Sequence, residues 1–278
     1  MKDFLKKSIQ FIRLLVSRIL KNNIPGTSAE MSYYLILAFF PFLIFVITTF
    51  SYTDLFEYNL LETMEQFLPE EAYLFLNEIV GELLNARSGS LLSISMLTTI
   101  FFASKGIRSI ISGINRSYLV TDNRVFYKKI FISLIFTLLM AISINMLFVF
   151  IVMGELFTET LFRLLQMEMI YSQAWFYLRI AISVTFIFLV VSFIYIFFPN
   201  LKPRLKFKEV YWGSIFTTSF WLISSSLFAF YVNNFSNYTL IYGSITGVIL
   251  LLLWLFLSSI LLLVGAEINA LLKTMKMR

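Results

Sequence analysis

Six long apolar stretches constrain this chain more than any other feature. They run over about 29–50, 89–104, 128–153, 174–198, 210–232 and 244–270. A helix needs roughly 20 apolar residues to cross ~30 Å of hydrocarbon, and most of these stretches reach that length. The second is short, ends at Lys105, and is expected to continue as a helix into the interface; the last is long enough to tilt. A water-soluble core could not conceal them. Apolar residues make up 59% of the chain and charged ones 14%, against about 45–50% and 25% in ordinary globular domains. The expected fold is an all-α integral membrane protein with six transmembrane helices.

Charge is sorted between the stretches. Of 22 basic residues, 19 fall in four segments. The first holds Lys2, Lys6, Lys7, Arg13, Arg18 and Lys21, and the second holds Lys105, Arg108, Arg116, Arg124, Lys128 and Lys129. The third holds Lys202, Arg204, Lys206 and Lys208, and the tail holds Lys273, Lys276 and Arg278. Basic loops stay on the cytoplasmic side, so both termini and all four segments are expected there.

The opposite side is acidic. Residues 51–88 carry eight carboxylates against Arg87. Apolar residues recur there at helical spacing on either side of Pro69, which predicts a small extracytoplasmic cap of two amphipathic helices within 53–87. Its carboxylates read as a solvated face, and no calcium-loop spacing is present. Residues 1–23 read as a separate interfacial helix. Lys2, Lys6, Gln10, Arg13, Ser17 and Lys21 form a polar stripe beside Leu5, Ile9, Ile12, Val16 and Ile19. Basic residues interrupt its apolar run, so it is not a cleavable signal peptide. The membrane domain then spans 24–272, and 273–278 is a basic cytoplasmic tail.

The chain has no cysteine and no histidine. That excludes disulfides, thiol nucleophiles, Cys/His metal sites and Ser-His-Asp catalysis. No metal site, cofactor, sodium-site pattern or nucleotide-binding loop is expected. Ionisable groups within a span are costly and mark functional candidates. Glu30 and Tyr34 open the first span, Lys105, Arg108, Ser112 and Asn115 share a helical stripe, and Glu267 and Asn269 close the last span. Together Glu30, Lys105, Arg108, Asn115, Glu267 and Asn269 would line an inward-facing polar cavity. Alternatively, Lys105 and Arg108 are membrane-side anchors, and Glu267 pairs with Lys273 or another basic neighbour for structure alone. Arg179, near the outer end of the fourth span, reads as a snorkelling residue. Pro41 is expected to kink the first span. Gly243 with Gly247, and Gly265 with Ala266, read as sites of close helix approach.

Three segments carry a family resemblance. They are Ala29-Glu30-Met31-Ser32-Tyr33-Tyr34 through Phe40-Pro41, Ala103-Ser104-Lys105-Gly106 through Tyr118, and Phe198-Pro199-Asn200 through Ala270. The last includes Tyr231-Val232-Asn233-Asn234-Phe235, Tyr242-Gly243-Ser244 and Gly265-Ala266-Glu267-Ile268-Asn269-Ala270. The chain resembles the YihY/BrkB family from about residue 10 to 272. The resemblance implies a six-span bacterial inner-membrane protein of unassigned activity, from a family once labelled ribonuclease BN. This chain has Glu30-Met31-Ser32 where many members have Ala-Leu-Ala or similar residues before the Tyr-Tyr pair.

Ribonuclease chemistry is not expected. A zinc site lacks ligands, and the cytoplasmic segments offer only Asp3, Asp122 and Glu209 toward a two-metal site. The leading expectation is a non-enzymatic membrane protein that transports or handles a solute or lipid. The alternative is a membrane scaffold docking partners on its acidic outer cap. Expected partners are the lipid bilayer, anionic lipids at the cytoplasmic face and an unidentified solute or lipid. No specific nucleic acid is expected, and homo-oligomerisation is left open.

Overall fold

A computed structural model describes residues 2–50, 89–122, 124–125, 127–135, 168–235 and 246–276. Among these residues there is no strand. The helices are α1 (Lys2–Lys21), α2 (Ile24–Phe50), α3 (Gly89–Ser117), a short α4 over 127–135, α5 (Glu168–Phe197), α6 (Phe207–Phe235) and α7 (Thr246–Lys276). Among the described residues, four stretches are long and apolar enough to cross a membrane: Ser93–Ser117, Ile180–Phe197, Phe207–Val232 and Thr246–Met275. They overlap the expected second, fourth, fifth and sixth spans, the second continuing past Lys105 as far as Ser117, and α2 covers the expected first. The acidic segment 51–88 and most of 128–153 lie outside the described residues, as does Gly243.

The chain's turns follow from local chemistry. At the end of α1 the Asn22 and Asn23 amides donate to the carbonyls of Arg18 (2.9 Å) and Leu20 (3.1 Å). Asn23 takes φ 50°, a left-handed conformation that asparagine tolerates better than most residues. Thr27 then donates to the Asn23 carbonyl through both its amide (3.0 Å) and its hydroxyl (3.1 Å), which anchors the first turn of α2. Pro25 sits in that turn, where a missing N–H is no loss. Farther on, α2 runs uninterrupted through Pro41, leaving the Leu37 carbonyl without its usual helical donor.

The end of α3 is a Schellman cap. The Val120 amide donates to the Asn115 carbonyl at 2.9 Å, and the Leu119 amide to that of Arg116 at 3.0 Å. Glycine normally holds the left-handed position of this cap; here Leu119 holds it at φ 56°. At the start of α6, the Glu209 carboxylate accepts from the Lys206 amide (2.7 Å) while the Lys206 carbonyl accepts from the Glu209 amide (2.9 Å). The carboxylate contact is the glutamate half of a capping box; the other half is supplied by the backbone, since a lysine side chain cannot accept.

Helix α2 packs along α3, while α7 packs against both α6 and α2, and α5 lies against α6. The best-buried apolar side chains, among them Ile24, Ile114, Phe198, Val210 and Leu263, come from the ends of these helices that adjoin the basic segments. The core is therefore concentrated at one end, the basic end. Elsewhere Leu97, Ile223, Leu227 and Phe230 are exposed, an outer surface suited to hydrocarbon and not to water.

Glycines set the approach of α6 to α7. A Cβ on Gly213 would lie 2.2 Å from the Gly265 carbonyl oxygen, and one on Gly265 would lie 2.1 Å from Thr217 Oγ1 and 2.3 Å from the Tyr195 hydroxyl. Only bare backbones fit there. The Tyr195 hydroxyl donates to the Leu262 carbonyl at 2.7 Å and sits 2.7 Å from Thr217 Oγ1, tying α5, α6 and α7 together. A Cβ on Gly247 would meet nothing within 4 Å, so close packing at that glycine, expected from its spacing, is absent among the described residues.

Candidate functional site

Two polar assemblies occupy the basic end. The first is a buried junction on Glu267, whose side chain is fully buried near the end of α7. Arg18 Nε donates to one carboxylate oxygen at 2.8 Å, and the Asn22 carboxamide donates to the other. Arg18 also donates to the Ser117 carbonyl at the end of α3. Arg116 donates to the Asn22 carbonyl at 3.1 Å and approaches Thr27 Oγ1 at 3.4 Å. The ends of α1, α2, α3 and α7 thus meet through two cations, one carboxylate and one carboxamide. Nearby, the Tyr118 phenol is buried without a hydrogen-bond partner. Burial, then the carboxylates of Glu209 and Glu267, push its pKa up, so it stays protonated.

The second assembly is a pocket of about 280 Å³ formed by the last turns of α3 and the connection to α4. Arg108, Arg116, Arg124 and Lys129 line it, with Asp122 as the single carboxylate. Ser112 and Asn115 supply neutral polar groups, and Ile111 and Val120 supply apolar wall. Asp122 lies 3.7 Å from Arg124 and 3.9 Å from Lys129. The Arg124 amide donates to its carboxylate at 3.1 Å, and Lys129 Nζ donates to its carbonyl at 2.9 Å, which folds the connection back on itself. The lining carries four positive charges against one negative, a field that concentrates anions.

Asn115 links this pocket to the rest of the fold. Its side-chain oxygen accepts the Asn200 amide at 2.7 Å, holding the α5–α6 connection against α3. The residue is 2% exposed, yet its Nδ2 has no acceptor among the described residues.

Of the candidate residues read from the sequence, Arg108, Ser112 and Asn115 share the pocket. The others lie elsewhere. Glu30 is exposed on α2. Lys105 is half-buried, with its ammonium 4.5 Å from the Phe101 ring centroid and 5.5 Å from that of Tyr34, a cation–π cage that satisfies the charge without a carboxylate. Asn269 Oδ1 accepts the Gly213 amide at 2.7 Å and serves the α6–α7 contact. Glu267 belongs to the junction; its cation is Arg18, because Lys273 pairs with Glu209 at 3.1 Å. Arg179 lies within α5.

Sequence reasoning missed Arg18, Asn22, Arg116 and Asp122 as partners. One signal was available. Leu15 and Ile19 lie on the face of α1 that turns toward the bundle, in line with the buried Asn22 just beyond the helix, and Arg18 lies on that face. A charge on an inward face needs a counter-ion. Meanwhile Ile9, Ile12, Val16 and Leu20 are exposed, so much of the apolar stripe points away from the protein.

Comparison with known proteins agrees with this architecture. The chain matches the family described as virulence factor BrkB over residues 15–278. A ribonuclease-like protein of Bacillus subtilis strain 168, YfkH, is 35% identical over 268 residues, covering 96% of this chain and 97% of that protein. A UPF0761 membrane protein of Vibrio atlanticus strain LGP32 is 25% identical over 280 residues, covering 95% of this chain and 82% of that protein. Another UPF0761 membrane protein, from Alteromonas mediterranea, is 40% identical over 79 residues, or 28% of this chain and 26% of that one. No solved structure matches the chain. With several helices able to span a membrane and a family match over nearly its whole length, the chain belongs to the YihY/BrkB family of membrane proteins.

Proposed function

We propose that this protein transports or handles a solute or lipid through the pocket at its basic end, which faces the cytoplasm. It does so as a six-span inner-membrane protein with both termini cytoplasmic. The observation that carries the reading is the pocket itself. In a bundle whose other described surfaces are largely apolar, about 280 Å³ of polar, cation-lined space opens beside the end of α3. Five of its lining residues, Arg108, Ile111, Ser112, Asn115 and Arg116, sit within the stretch Ser93–Ser117 that is apolar enough to cross a membrane. Charge placed there is costly unless a water-filled cavity or a ligand receives it.

Ribonuclease activity, which the name of the Bacillus relative suggests, is not part of this reading. The chain has no histidine or cysteine, and among the described residues no three carboxylates gather where a metal ion could sit. The scaffold alternative rests on the acidic segment 51–88, outside the described residues.

Rescue of a deletion-strain phenotype tests the proposal. Arg108→Gln removes the charge and Ser112→Trp fills the space. Both should abolish rescue while the purified proteins stay monodisperse with unchanged melting temperature. Full rescue by both variants would overturn the proposal.

A further inference from the structure

The pocket holds more donors than the chain can satisfy. Asp122 is taken up by Arg124 and Lys129, and Arg116 reaches out to the Asn22 carbonyl. Arg108 is left without a hydrogen-bond or ion-pair partner among the described residues. Asn115, which lines the same pocket, has a buried Nδ2 with no acceptor among the described residues either. The rule that keeps basic residues on the cytoplasmic side accounts for cations at this end. It does not account for a buried carboxamide donor lining the same space with nothing to donate to, an arrangement that costs folding free energy.

The surroundings admit an anion. A helix C-terminus ordinarily repels negative charge. Here the last carbonyls of α3 are occupied: Asn115 accepts from Val120, Arg116 from Leu119, and Ser117 from Arg18. The net charge of the lining is positive. Its volume, about 280 Å³, is below the roughly 300–1,000 Å³ of sites that enclose drug-sized ligands. The pocket therefore suits a compact group, either a small ion or the head of a larger molecule whose remainder stays outside.

We infer that the pocket binds a phosphate group, with Arg108 and Asn115 Nδ2 as its open ligands. The group is either free phosphate or the monoester headgroup of an acidic phospholipid. The inference rests on the handling reading above and names its ligand. A carboxylate offers two oxygens and one charge. Arg108, Asn115, the Ser112 hydroxyl and the flanking charges of Arg124 and Lys129 present more donors than that, and match the oxygens and double charge of a phosphate.

The test uses the full chain purified in a non-ionic detergent at low salt. Inorganic phosphate is titrated calorimetrically in one arm. Short-chain phosphatidic acid is titrated in the other, with phosphatidylcholine as the zwitterionic control. Binding by either probe should weaken at least about tenfold in Arg108→Gln and in Asn115→Asp, the loss of one charge-assisted contact. Asn115→Asp keeps the acceptor for Asn200 and turns the open donor into a repelling charge. Lys208→Gln, an exposed cation at the same end but outside the pocket, should change affinity less than twofold. If Asn115→Asp does not fold, Arg108→Gln decides alone, since no other contact depends on it among the described residues. Binding of phosphate alone assigns a soluble ligand, and binding of phosphatidic acid alone assigns a headgroup. Binding of neither, or equal binding by all variants, overturns the inference. The two readings fail separately. If neither probe binds while Arg108→Gln still abolishes rescue, handling stands and phosphate falls. If phosphate binds and both Arg108→Gln and Ser112→Trp rescue fully, the site stands and the handling function falls.

Discussion

Breaking the Arg18–Glu267 pair from its two ends should have unequal consequences. Glu267 is fully buried, whereas the Arg18 side chain is 18% exposed at the end of a peripheral helix. In Arg18→Gln the carboxylate stays in place with only the Asn22 carboxamide to offset it. A buried ion stripped of its partner costs about 3–5 kcal/mol. In Glu267→Gln the shape and the Asn22 contact persist, and Arg18 can swing toward water. The loss is then about that of one charge-assisted hydrogen bond, ~1.5–3 kcal/mol. For a chain of this size each kcal/mol moves the melting temperature by roughly 2 °C. Arg18→Gln should therefore melt ~6–10 °C below wild type and Glu267→Gln ~3–6 °C below, on the same conversion. The double variant leaves no unpaired charge and should melt above Arg18→Gln alone, a coupling of ~1–3 kcal/mol. Differential scanning fluorimetry in detergent measures all four proteins. Equal melting of the two single variants, or a double variant less stable than Arg18→Gln, would refute the reasoning.

The glycine contacts make a paired prediction. Gly213→Ala, with a Cβ 2.2 Å from the Gly265 carbonyl oxygen, should lose about 3 kcal/mol or more through forced separation of α6 and α7; Gly247→Ala, with nothing within 4 Å, should stay within ~0.5 kcal/mol of wild type. Thermal unfolding of both reads the difference. Leu119→Gly should stabilise the protein by roughly 0.5–1 kcal/mol, because relief of a left-handed leucine (~1–2 kcal/mol) exceeds the added backbone entropy of glycine (~0.5–1 kcal/mol); a lower melting temperature would contradict it. A single cysteine at position 204 should react with an impermeant maleimide in inverted membrane vesicles, and one at position 70 in intact spheroplasts. The reverse pattern would invert the topology expected from the basic segments.

The helical architecture was legible because hydrophobic length is a local property, readable wherever it occurs. Charge sorting was equally legible: the segments holding Arg18, Arg116, Lys206 and Lys273 do gather at one end of the bundle. What spacing could not supply was pairing across the chain. Lys273 lies six residues from Glu267 and was the natural partner on paper, yet the capping carboxylate of Glu209 takes it, leaving Glu267 to Arg18 from the far end of the sequence. Gly247 and Gly265 carry the same small-residue signal, but only Gly265 faces another helix closely. A motif of small residues permits close approach and does not provide a neighbour. The pocket was half legible. The α3 stripe of Arg108, Ser112 and Asn115 follows from helical periodicity. Asp122, Arg124 and Lys129 join it only because the Schellman cap at Leu119 turns the chain back over that stripe.

The central claim is that the pocket is an aqueous space open to the cytoplasm. A cysteine at position 112 tests it most directly, since Ser112 is an exposed lining residue and the chain has no native cysteine. With an impermeant maleimide, Ser112→Cys should label in inverted vesicles at a rate close to that of Lys208→Cys, and remain unlabelled in intact spheroplasts. Labelling only from the outside, or from neither side, would contradict the account.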